Sequence, residues 1–149
     1  MDDVEEVVNS REEMLALGEK FGRTLVAGDL VVLKGELGAG KTTFTQGIGH
    51  ALGLDDVTSP TFVISRVHRS TPPLVHVDAY RLIDSKSGTL EFDDLDLDTH
   101  REEAITVIEW GSDLAMRMDE HYLLVEIDFL GDEKDDGRED ARKVVISKR

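Results

Sequence analysis

The chain has 149 residues, 17 basic against 32 acidic, and a net charge of -15; that length suits one domain with a real core and is short for a separate substrate lid. So acidic a surface does not grip a nucleic-acid backbone by itself, because such binding is mostly phosphate neutralisation by Lys and Arg, and any nucleic-acid role is expected to be indirect. There is no cysteine for a disulfide or a thiolate metal site, and the acidic start MDDVEEVVNS, with no apolar run of spanning length, predicts a cytoplasmic chain outside the membrane.

The predicted elements alternate. Ser10 and Glu13 form a capping box, and Met14, Leu17, Phe21 and Leu25 follow at helical spacing, which predicts an amphipathic helix over 11–27 that ends at Gly28. A strand over 30–34 comes next, then a Gly-rich turn, then a helix carrying Phe44, Ile48, Ala51 and Leu52 and capped by Gly53. Thr58-Ser59-Pro60-Thr61 breaks the pattern. Residues 62–68 read as a strand, paired with 74–78 across a turn at Thr71-Pro72-Pro73. The stretch 84–98 is acidic and irregular, a short helix is expected near 99–104, and 104–109 is a buried strand, almost wholly apolar up to its end. Residues 121–129 and 142–148 are expected to close as an antiparallel pair around the charged, solvated loop Gly131–Gly137.

The turn after the first strand is the most informative stretch. Gly35, Glu36, Leu37, Gly38, Ala39, Gly40, Lys41 and Thr42 complete the phosphate-loop pattern G-x-x-x-x-G-K-[ST], between a strand and a helix. A triphosphate needs several donors close in. The glycines let successive backbone N–H groups turn toward phosphate oxygens, Lys41 reaches the β- and γ-phosphates, and the Thr42 hydroxyl ligates Mg²⁺. The helix that follows aims its positive end at the same anion.

Two later strands end in a carboxylate, at Asp78 and at Glu109. Either fits the acid that a phosphate-loop site places at the carboxyl edge of its sheet, facing the metal or the attacking water, and the residues alone leave open which of the two it is. Trp110 follows Glu109 directly; an indole there suits stacking on a base or a partner as well as it suits the core. His50, His68, His76, His100 and His121 do not make metal-ligand spacings, and His76, on the strand leading to Asp78, reads as a satisfied structural residue.

These motifs together resemble one family. Gly35–Phe44, Ser59-Pro60-Thr61-Phe62, His76-Val77-Asp78-Ala79-Tyr80-Arg81-Leu82, Glu91-Phe92 and Ile108-Glu109-Trp110 stand in the order and approximate spacing of the TsaE (YjeE) family, over roughly residues 10–130. The resemblance implies a three-layer α/β P-loop NTPase fold, its central sheet mostly parallel with antiparallel strands at the C-terminal end. It implies hydrolysis of Mg-ATP, and association with TsaD and TsaB in making threonylcarbamoyladenosine in tRNA. Carried over by residue, it gives the nucleotide to Gly35–Thr43 with Thr61 and Trp110, the phosphates to Lys41, and the metal to Thr42 and Glu109. Asp78 would position or deprotonate the attacking water, or hold a metal-bound water. Ser59-Pro60-Thr61 would be a switch-like loop with the Thr61 hydroxyl toward the γ-phosphate. Ala79, Gly111 and the unusually acidic charge depart from the family pattern; the last bears on the partner surface and not on the site.

A small-molecule kinase would use the same loop, but the acidic stretch 84–98 is ill suited to clamp phosphates. The guanine-reading Asn-Lys-x-Asp of a GTPase is absent, and Asp128-Phe129-Leu130-Gly131 reads as a strand end entering a turn.

Overall fold

The computed structural model describes residues 3–35, 39–55, 57, 65–78, 101–109, 121–129 and 141–149. Leu30-Val31-Val32-Leu33, the apolar run before the Gly-rich turn, lies in the middle of a seven-stranded sheet. In chain order the strands are β1 (Val4–Val8), β2 (Leu30–Gly35), β3 (Ser65–His68), β4 (Leu74–Asp78), β5 (Ile105–Glu109), β6 (Leu123–Phe129) and β7 (Arg142–Lys148). Across the sheet the order is β1-β7-β6-β2-β5-β4-β3. The central strands β6, β2, β5 and β4 run parallel. Antiparallel strands flank them on both sides, β7 and β1 beyond β6 and β3 beyond β4.

Helices α1 (Arg11–Gly22) and α2 (Lys41–Ala51) pack on each other and on one face of the sheet. Met14 and Phe21 from α1, and Phe44 and Ile48 from α2, join Val31 and Leu33 of β2, Val107 of β5, Val125 and Ile127 of β6 and Val144 of β7 in one buried cluster. The alternate residues Leu30, Val32, Val77 and Ile108 are also shut off from solvent, so both faces of the parallel strands are covered, as a three-layer arrangement requires.

The forward half of the predicted capping box is present, Ser10 Oγ accepting from Glu13 N–H at 3.1 Å, while the Glu13 carboxylate reaches one residue further back and accepts from Asn9 N–H. Helix α1 ends at Gly22, five residues short of the expected 27. The apolar rhythm misleads there because Leu25 is buried from a tight turn, in which the Thr24 and Leu25 N–H groups bond to the carbonyls of Phe21 and Gly22. Gly53 caps α2 as expected. At φ 80° it lets its own N–H reach the His50 carbonyl and that of Leu54 reach Gly49, a Schellman closure. The paired strands around Thr71-Pro72-Pro73 and the closing pair β6–β7 stand as predicted, and the short helix expected near 99–104 is a single 3-10 turn at Arg101–Glu103.

The two helices approach more closely than side chains usually allow. A methyl group at Gly18 would stand 2.3 Å from the Phe44 carbonyl oxygen, and one at Gly47 would stand 2.3 Å from the Leu15 carbonyl oxygen and 2.8 Å from Gly18 Cα. The contact is glycine on glycine. It fixes α2, and with it the loop that α2 ends, against α1.

Candidate functional site

Parallel strands deliver their carboxyl ends to one edge of a sheet, and this edge gathers the site. β2 ends there at Gly35, β5 at Glu109 and β4 at Asp78, with Glu109 in register with Leu33 on one side and with Asp78 on the other. The antiparallel flank brings more residues to the same edge. β7 begins there, Arg142 lying in register with Phe129 at the end of β6, and β1 ends there, Val8 lying in register with Arg142. The chain turns from β1 straight into Ser10 and Arg11 at the start of α1.

At the described part of the loop, Ala39 is buried and Gly40 caps α2 at φ 113°, a left-handed conformation that excludes most side chains. A Cβ at Gly40 would also stand 3.1 Å from Met14 Cε, so α1 presses on the loop where it becomes helix. Lys41 opens α2 with its side chain buried, and its Nζ donates to the Gly35 carbonyl at 2.6 Å, across the mouth of the loop. Thr45 Oγ donates to the Lys41 carbonyl at 2.9 Å, while Thr42 and Thr43 are half-buried.

A cavity of about 210 Å³ adjoins this turn, lined by Ser10, Arg11, Met14, Ala39, Gly40, Thr43 and Arg142. Arg142 lies over the Phe129 ring, 4.1 Å from its centroid, and Arg11 donates to Gln46 Oε1 at 3.1 Å. Sequence reasoning missed Ser10, Arg11, Met14 and Arg142 as site residues. No local motif joins them; they meet only because β1 and β7 bring them to the edge where β2 ends.

Glu109 is 4% exposed and His76 0%, and His76 Nε2 lies 3.6 Å from Glu109 Oε1. Neither ring nitrogen of His76, nor Glu109 Oε1, has a hydrogen-bond partner among the described residues, so His76 is not the satisfied structural residue that its strand position suggests. Register explains their proximity: His76 lies opposite Val107, and Glu109 is two residues further along β5 on the same face.

Of the residues expected to bind or act, the structure brings Gly35, Ala39, Gly40, Lys41, Thr42, Thr43 and Glu109 to this edge, together with the backbone of Asp78. Glu36, Leu37, Gly38, Thr61 and Trp110 lie outside the described residues, as do Ser59, Pro60, the start of the strand predicted at 62–64, the stretch 84–98 and the loop 131–137. Among the described residues no group of three or more His, Asp or Glu converges to hold a metal, and no helix is long and apolar enough to cross a membrane.

The profile of the family "Threonylcarbamoyl adenosine biosynthesis protein TsaE" matches residues 8–140. The tRNA threonylcarbamoyladenosine biosynthesis protein TsaE of Streptomyces coelicolor is 51% identical over 130 residues, covering 84% of this chain and 86% of that protein. Its counterpart in Mycobacterium tuberculosis is 49% identical over 124 residues, covering 78% of this chain and 74% of the other. Among solved structures, Bacillus subtilis YdiB superposes with a TM-score of 0.73 at 27% identity, over 97% of this chain and 84% of that one. A match of this extent in sequence and in fold places the chain in the TsaE family of threonylcarbamoyladenosine biosynthesis proteins.

Proposed function

We propose that the chain binds and hydrolyses Mg-ATP in the cytoplasm, and that it acts on a TsaD–TsaB pair that modifies tRNA, touching the tRNA only through that complex. The observation that carries the reading is the turn from β2 into α2, where left-handed Gly40 leads directly into Lys41 and the lysine ammonium bridges the mouth of the loop to Gly35. An ammonium held there by a carbonyl can exchange that partner for phosphate oxygens, a stronger charge-assisted contact. The adjoining cavity takes the base and ribose: Met14 gives an apolar wall, while Arg11 and Arg142 supply guanidinium planes.

The residues at the edge fit Mg²⁺. The donors are hard oxygens, a hydroxyl at Thr42 and a carboxylate at Glu109, and Mg²⁺ is usually bound through one or two carboxylates together with substrate phosphates. Glu109 is a buried carboxylate, and a cation beside it relieves the cost of burying that charge. Thr42 and Glu109 would hold the ion, which when bound neutralises charge on the phosphates. Lys41 and the N–H groups that open α2 orient the phosphates, and Asp78, in register with Glu109, positions or deprotonates the attacking water. Thr61 and Trp110 would complete the nucleotide contacts.

The deciding experiment is phosphate release from Mg-ATP by the purified chain, alone and then with TsaB, TsaD and tRNA from the same source. Stimulation by the partners is expected. Phosphate appearing on a small acceptor instead would replace this reading with that of a kinase. In the same assay Glu109→Gln and Asp78→Ala should each bind ATP within a few-fold of the parent and lose at least roughly 100-fold in turnover. Full activity in both would remove the two carboxylates from the mechanism.

A further inference from the structure

The buried pair at the ends of β4 and β5 has more chemistry than the proposed mechanism uses. Glu109 has three rotatable side-chain bonds, and a carboxylate that must meet a cation in one orientation has to be held. No described residue hydrogen-bonds its Oε1, and His76 Nε2 lies 3.6 Å from it. His76 is fully buried, on a strand hydrogen-bonded on both sides, to β3 and to β5, so its ring sits on a fixed frame.

A polar group left unmatched at full burial costs about 1–3 kcal/mol. Both groups bear that cost side by side, and a movement of less than about 1 Å would bring them to hydrogen-bond distance. An apolar side chain at position 76 would fill the same space without the cost; Leu74, on the same strand and face, does so.

We propose that His76 is the positioning residue for Glu109: its Nε2–H closes on Oε1 and fixes the carboxylate in one rotamer, leaving the second oxygen for the cation that accompanies the nucleotide. This inference rests on the Mg-ATP reading and adds a named partner behind the metal-side acid.

The test uses the full chain with Mn²⁺ as the probe. Free Mn²⁺ is counted by electron paramagnetic resonance in the presence of ADP, and ADP affinity without metal is measured by calorimetry. His76→Leu removes the donor and keeps the bulk; it should weaken Mn²⁺ binding roughly tenfold while metal-free ADP affinity stays within about twofold. His76→Gln, whose amide nitrogen reaches about as far as Nε2, should recover most of the loss. A residue that merely fills the core would leave Mn²⁺ affinity unchanged in the Leu variant, and that result overturns the proposal, as does a Gln variant no better than Leu.

Should the Leu variant fail to fold, His76→Asn takes its place. The shorter amide cannot reach Oε1, so Asn must bind Mn²⁺ more weakly than Gln, and equal affinities overturn the idea. Failure of the underlying reading looks different: a parent chain that binds no ATP or ADP at all defeats both proposals whatever position 76 does.

Discussion

Replacing Lys41 is expected to abolish nucleotide-dependent activity. The side chain is buried and its ammonium lies at the mouth of the loop, so its loss removes charge-assisted contacts worth about 1.5–3 kcal/mol each. Lys41→Ala also removes the buried aliphatic stem, which would confuse a binding defect with a packing defect. Lys41→Met keeps the stem and removes only the charge. Calorimetry should give Mg-ATP affinities weaker by roughly 30-fold or more for both variants, and hydrolysis should fall more than roughly 100-fold. Only the Ala variant should lose appreciable thermal stability. A Met variant that binds Mg-ATP like the parent would show that this loop does not hold the phosphates.

The second large effect is expected far from any charge. In an isolated helix Gly→Ala stabilises by about 1 kcal/mol, so propensity alone predicts that Gly47→Ala raises the melting temperature. Packing predicts the reverse. The new methyl would stand 2.3 Å from the Leu15 carbonyl oxygen and 2.7 Å from the Glu19 nitrogen, and both are backbone atoms of α1 that cannot rotate away. Overpacking of this kind costs about 1–3 kcal/mol, occasionally more, and the two helices must separate to accept it. Gly47→Ala is therefore expected to lower the Tm by roughly 10 °C, and Gly18→Ala to do much the same. The double variant should lose less than the sum, because one separation of the helices serves both methyls. A rise in Tm for Gly47→Ala would mean that the helices do not touch through these glycines.

The strand at 30–35, the helix that begins at Lys41 and the two strand-end carboxylates were legible because each is written in contiguous residues. The hydrophobic strand 30–33 is buried on both faces and so reads as one unbroken run. β1 was not legible. Only Val8 of its five residues is buried, Val4 and Val7 are exposed, and an edge strand held by backbone bonds to β7 has no apolar face to announce it. Missing β1 meant missing Ser10, Arg11 and Arg142, since only the direction of the outer strands brings them to the loop. The pair His76 and Glu109 was half legible: spacing gave the carboxylate, but the distance between the two is a matter of strand register, which a single chain does not spell out.

The position of β2 also bears on when, during synthesis, this protein becomes able to bind anything. Val31 is flanked by Val107 on one side and Leu123 on the other, so the strand that launches the loop has no bonded neighbour until the ribosome has made the last third of the polypeptide. Contacts this distant in sequence form slowly and late. A nascent chain released after residue 100, before β5 and β6 are made, is therefore expected to leave a fluorescent ATP analogue unbound, and tight binding by that fragment would refute the idea. The nucleotide of the proposed site, on this view, meets a nearly finished protein and cannot serve as an early nucleus for its folding.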